Sequence, residues 1–107
     1  MATDKDFADY IMDQLAGAGE VTCKKMFGEY GIFLNGKMTA ILADNQLFIK
    51  PTDAGRKFIG EPEEAPPYTG AKNYFIIDNT DDTDWLAELV KITENELPLP
   101  KPKKKRK

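Results

Sequence analysis

Asn35-Gly36, set between two apolar runs, limits what this chain can fold into more than any other feature. A two-residue type I′ turn needs positive φ at both central positions, and Asn followed by Gly tolerates that best. Residues 26–50, MFGEYGIFLNGKMTAILADNQLFIK, therefore read as three consecutive antiparallel strands, with Asp44-Asn45 as the second tight turn. That turn geometry pairs Leu34 with Lys37, Phe33 with Met38, Ile32 with Thr39 and Gly31 with Ala40 across the first hairpin. Across the second it pairs Leu42 with Leu47, Ile41 with Phe48 and Ala40 with Ile49. Side chains alternate along a strand, so one sheet face is expected to gather Phe33, Met38, Ala40, Leu42, Leu47 and Ile49 as core. The other gathers Tyr30, Ile32, Leu34, Lys37, Thr39, Ile41, Phe48 and Lys50, a mixture too apolar for an ordinary solvated surface.

The same residues carry a family resemblance. Met26-Phe27-Gly28, Tyr30-Gly31, Asn35-Gly36 and Leu47-Phe48-Ile49-Lys50 resemble the opening signature of the N-terminal domain of the TfoX/Sxy competence-regulator family. The likeness continues more loosely through Tyr68, Tyr74-Phe75 and Trp85, covering roughly residues 5–95. It implies a two-layer fold similar to type III secretion chaperones and a role in transcription regulation; no cofactor is expected. Longer members of that family carry a second, C-terminal domain and promote competence gene expression with a cyclic-AMP receptor-type activator; this sequence ends after the first. Thr39 departs from the motif, where an apolar residue would suit.

The flanking segments complete an α+β pattern. Thr3 followed by Asp6 has the form of a helix cap, and Phe7, Tyr10, Ile11 and Leu15 make an apolar stripe, giving a helix over 4–16. Residues 20–27 read as a strand entering through Gly28. Pro51-Thr52-Asp53 stops the third hairpin strand and caps a short helix over 52–59. Residues 60–71, rich in Pro and Gly, read as a loop, with Tyr68 laid over the core. Residues 73–78 read as a strand, and a last helix runs to 96 with Trp85, Leu89 and Ile92 on one side. The expected order is α-β-β-β-β-α-β-α: a mainly antiparallel sheet in two layers, with helices on one face.

Charge divides the chain. All 18 acidic residues precede Leu97, against nine basic ones, so residues 1–96 carry −9; residues 97–107 carry six positive charges and no negative one. This predicts a domain over 1–96 and a disordered basic tail over 97–107, extended by alternating prolines. Lys101, Lys103, Lys104, Lys105, Arg106 and Lys107 are candidate nucleic-acid contacts. Neutralising ~5 phosphates would give a salt slope near −4 to −5 without base recognition. The alternative is a solubilising tail that folds back on its own acidic domain.

Enzyme chemistry loses most of its usual machinery. The chain has no histidine and one cysteine, which removes the common zinc sites, Cys-His pairs and the Ser-His-Asp triad. Cys23, a lone strand thiol, reads as a small buried hydrophobe. Lys24, Lys25, Lys50 and Tyr30 form the remaining candidate for base or Schiff-base chemistry, and exposed strand lysines are its plainer reading. Gly28 and Gly31 read as turn or bulge glycines, since no helix follows to hold an anion. The expectation is a non-enzymatic module. Tyr30, Ile32, Ile41 and Phe48 are its candidate contacts with a protein partner or a second copy, unless loop 60–71 or the last helix covers them. On that view Ile41→Asp or Phe48→Asp breaks association and spares the fold. A pocket for a small ligand between sheet and loop is a third reading. An acidic start without a signal peptide, and no apolar run of ~20 residues, predict a cytoplasmic protein without membrane contact.

Overall fold

The computed structural model describes residues 3–26 and 29–97, with only the backbone of Met26. Its elements run α1 (Lys5–Leu15), a 3-10 turn (Ala16–Ala18), β1 (Val21–Met26), β2 (Glu29–Leu34), β3 (Lys37–Ala43), β4 (Gln46–Ile49), α2 (Asp53–Ile59), β5 (Glu63–Ala65), β6 (Tyr74–Ile77) and α3 (Thr83–Glu96). The strands form one antiparallel sheet in the order β1-β2-β3-β4-β6-β5. The α+β architecture is the one the pattern predicts, with one addition: Glu63–Ala65, within the expected loop, pairs with β6 and becomes an edge strand.

Both tight turns form as the sequence dictates. Asn35 and Gly36 take φ of 53° and 86°, and Asp44 and Asn45 take 53° and 58°, the left-handed values that a type I′ hairpin requires. The β3–β4 register follows the turn, with Ala40 opposite Ile49, Ile41 opposite Phe48 and Leu42 opposite Leu47.

The β2–β3 register does not. Leu34 faces Lys37 and Phe33 faces Met38, but then the pairing shifts and Ile32 faces Ala40, Gly31 faces Ile41 and Tyr30 faces Leu42. Thr39 is the extra residue of a β-bulge. It is fully buried, and its hydroxyl is 3.4 Å from the Ile32 carbonyl it points to. The bulge inverts the facing of β2 relative to the expectation. Ile32 and Leu34 join Ala40, Leu42, Leu47 and Ile49 in the main core, with Tyr30 packed beside them. Met38, in contrast, packs against the opposite face.

Helices cover the main-core face. Ala8, Ile11 and Leu15 of α1 and Leu86, Ala87, Leu89 and Val90 of α3 are buried there together with Phe75 and Ile77 of β6. Burying a Leu or Ile side chain contributes about 1.5–3 kcal/mol, so this layer contact supplies most of the fold's cohesion. α2 lies against α3 through Gly55, whose position is within reach of Phe75 and Thr93, and Phe58 stacks on Trp85 with centroids 5.5 Å apart. Asp82 caps α3 through the Trp85 amide, and Thr52 caps α2 through the Gly55 amide.

Thr3 does not cap α1. Asp4 occupies the cap position without a side-chain bond. The Thr3 hydroxyl instead donates to Glu29 and accepts from the Asn45 amide, while Asn45 Oδ1 accepts from the Asp4 amide at 2.8 Å. Thr3 and Asp4 are thereby tied to the β3–β4 turn through Asn45, a tertiary contact that replaces the local cap.

Candidate functional site

Of the residues expected to form a partner face, none presents one. Ile32 is fully buried under the helices and Tyr30 packs on the same core, because the bulge at Thr39 turns β2 over. Ile41 and Phe48 do lie on the far face, but they are only 2% and 4% exposed. With Ala43 they form a second small core, closed by Met38, Tyr74, Ile76 and Ala65. Ala65 belongs to the segment weighed as a cover. The row Ile41, Phe48, Ile76 runs across β3, β4 and β6 in register, so each side chain is flanked by the next.

The lysines weighed for chemistry are dispersed. Lys25 sits opposite Tyr30 at the exposed rim of β1, and Lys24 is exposed with its ammonium 5.5 Å from the Phe33 ring centroid. Cys23 is half-buried; burial pushes its thiol up, with Asp9 adding to the effect. Among the described residues, no group of three or more His, Cys, Asp or Glu is placed to hold a metal ion. Gly28, Lys101, Lys103, Lys104, Lys105, Arg106 and Lys107 lie outside the described residues.

The structure instead assembles a groove of about 370 Å³ where β4 and β6 meet the end of α3. Lys50 and Pro51 form one wall, Tyr68, Ala71 and Lys72 the loop side, and Tyr74 and Leu97 complete it. Local chemistry fixes each part. The Lys50 amide donates to the Thr39 carbonyl at 2.8 Å, which holds the chain just past β4 before Pro51 ends the strand. On the loop side Pro67 is buried, and Tyr68 accepts a turn bond from the Ala71 amide at 3.1 Å across Gly70, whose φ is 89°. That turn throws the Tyr68 ring outward, leaving it 56% exposed, the large hydrophobic side chain that stands out on the described surface.

Tyr74, at the start of β6, is half-buried; burial pushes its phenol up, and the nearby Tyr68 adds to this. Leu97 is held where α3 ends because Lys37 Nζ donates to the carbonyls of Glu94 and Leu97, both at 3.1 Å, and pairs with the Glu94 carboxylate at 2.8 Å. The lining thus offers two ammonium groups, two phenol rings and an apolar remainder, with no carboxylate among them. Such a surface can bind and orient a partner through its cations, rings and apolar area.

Sequence reasoning reached Lys50 for another reason and placed Tyr68 over the core. The available signal was an aromatic between Pro67 and Gly70, residues that mark a surface turn, with Lys72 close behind.

Comparison with known proteins agrees with the architecture. The model of the TfoX N-terminal domain family matches residues 13–96. An uncharacterized 12.7 kDa protein in the trpE 5′ region of Spirochaeta aurantia is 40% identical over 105 residues, covering 97% of this chain and 91% of that relative. With its six-stranded sheet, its hairpin signature and a match over most of its length, the chain belongs to the TfoX N-terminal domain family.

Proposed function

We propose that this chain is a non-catalytic interaction module that acts in the cytoplasm in transcription regulation, through protein contacts made at the groove. The observation that carries this reading is Tyr68, a large ring held out at 56% exposure by a turn beside Lys72 and Lys50. Aromatic side chains at a surface supply contact area at low entropic cost and are enriched at the centres of interfaces. Family membership supports regulation as the role, and the competence connection of longer members is the specific form to test.

Deletion of the gene, followed by complementation with wild type or with the Tyr68→Ala/Lys72→Ala double variant, tests the proposal. Deletion is expected to change a defined set of transcripts, wild type to restore them, and the double variant, checked for an unchanged melting temperature, to fail. An unaltered transcript profile on deletion, or full restoration by the variant, refutes it.

A second reading rests on charge. Six cations and no anion after residue 96 favour nonspecific polyanion contact through Lys101, Lys103, Lys104, Lys105, Arg106 and Lys107. Anisotropy of a labelled duplex over a salt series compares the full chain with one ending at Pro100. A slope near −4 to −5 for ~5 neutralised phosphates, lost on truncation, supports it.

A further inference from the structure

We infer that the groove receives an acidic peptide segment carrying one aromatic or branched apolar side chain; this names the partner chemistry of the proposed interaction site and rests on that proposal. Three features converge on it.

The first is charge. Residues 1–96 carry 18 acidic and nine basic side chains, so the domain as a whole repels anions. The groove lining reverses this locally, with Lys50 and Lys72 and no acid. The second is position. Leu97 forms part of the wall, and the six-cation stretch begins four residues later, within ~14 Å of extended chain at ~3.5 Å per residue. As sequence neighbours of the wall, these cations add to the field that attracts an anionic partner. They share the sign of Lys50 and Lys72, which makes the chain's own tail a poor occupant.

The third is the apolar remainder. Pro51, Ala71, Leu97 and the faces of Tyr68 and Tyr74 surround about 370 Å³, near the lower end of the ~300–1,000 Å³ typical of ligand sites. That is room for one large side chain with its flanking backbone. Carboxylates on either side of that side chain would meet the two ammonium groups, while its apolar body would cover Tyr68 and Leu97.

Selection from a random-peptide library on the immobilised full chain tests the inference, with Lys50→Glu/Lys72→Glu as the counter-target and the leading peptide measured by fluorescence anisotropy. The expected consensus has Asp or Glu flanking an aromatic or Leu. The charge-reversed variant should bind about tenfold more weakly or worse, from two lost exposed ion pairs and the repulsion replacing them. Affinity should fall with added salt, and a single-stranded thymidine oligonucleotide should not displace the peptide. A consensus without acids that still depends on Tyr68 overturns the acidic-partner inference and leaves the interaction site standing. Peptides indifferent to Tyr68→Ala and to charge reversal overturn the inference, and the complementation experiment then decides separately on the role. Displacement by the oligonucleotide that persists in the chain ending at Pro100 also overturns it, assigning the groove to nucleic acid.

Discussion

Replacing Lys37 with methionine removes a charge from the point where the first hairpin meets the end of α3, while keeping most of the stem volume. In the native fold the three N–H bonds of the ammonium are all used: one to Glu94 Oε2 at 2.8 Å, and one each to the carbonyls of Glu94 and Leu97 at 3.1 Å. The side chains of Lys37 and Glu94 are 11% and 16% exposed, so little water can replace what is lost. Breaking a fully buried pair costs about 3–5 kcal/mol and an exposed one about 0–1. The residual exposure places this pair between them, and Lys37→Met is expected to cost about 2–3 kcal/mol. For a domain of this size that lowers Tm by about 10–20 °C.

Urea unfolding followed by the fluorescence of Trp85, the chain's single tryptophan, measures it, because that ring stacks on Phe58 and loses the contact on unfolding. Glu94→Leu and the double variant close a thermodynamic cycle, with an expected coupling of about 1–2 kcal/mol, since the double variant no longer strands a carboxylate. A loss under ~0.5 kcal/mol for Lys37→Met, or strict additivity, would refute the assignment of Lys37 as the clasp of α3.

Three further outcomes are expected. Gly55→Ala, usually favourable within a helix, should destabilise by about 1–2 kcal/mol in urea unfolding, because its Cβ would stand 2.8 Å from the Thr52 hydroxyl that caps α2. Ile41→Asp and Phe48→Asp, expected from sequence to spare the fold, should each cost about 4 kcal/mol or more and give an unfolded circular-dichroism spectrum, since both sites are almost fully buried. Cys23, whose thiol burial holds up, keeps its proton in the folded chain at a pH where the unfolded chain has lost it. Stability therefore declines as pH rises from the ordinary thiol value through the raised one, and Cys23→Ala should remove that part of the decline; parallel decline in both proteins would count against it.

How much of this was legible depended on whether a local signal had one meaning. Asn35-Gly36 and Asp44-Asn45 name their turn types because few residues accept positive φ twice in succession, and both turns formed as read. Helix limits came within a residue or two, since capping by Thr52 and Asp82 is local chemistry. The facing of β2 was not legible. Ile32-Phe33-Leu34 is apolar at every position, so alternation offers no preference, and the bulge that decides it draws on the burial of Thr39 within the assembled sheet. β5 was hidden for a different reason. Glu63-Glu64-Ala65 has no strand propensity of its own and is held by β6 and by the Arg56–Glu64 pair at 2.8 Å. The groove follows suit: a pocket between sheet and loop was one reading, but its lining comes from three separate segments that only the folded chain brings together.

The bulge has a consequence for how the chain tolerates changes in length. Thr39 has no partner in β2, so excising it leaves Phe33 opposite Met38 and Ile32 opposite Ala40, and the hairpin closes as an ordinary ladder with every neighbour on its present side. Excising Ile41 instead shifts Ala40 or Leu42 by half a pleat and carries an apolar residue out of the main core. Insertions obey the same parity. Along β3, therefore, Thr39 is the place where one residue can be lost without renumbering the interior, and natural length variation within this hairpin should collect there.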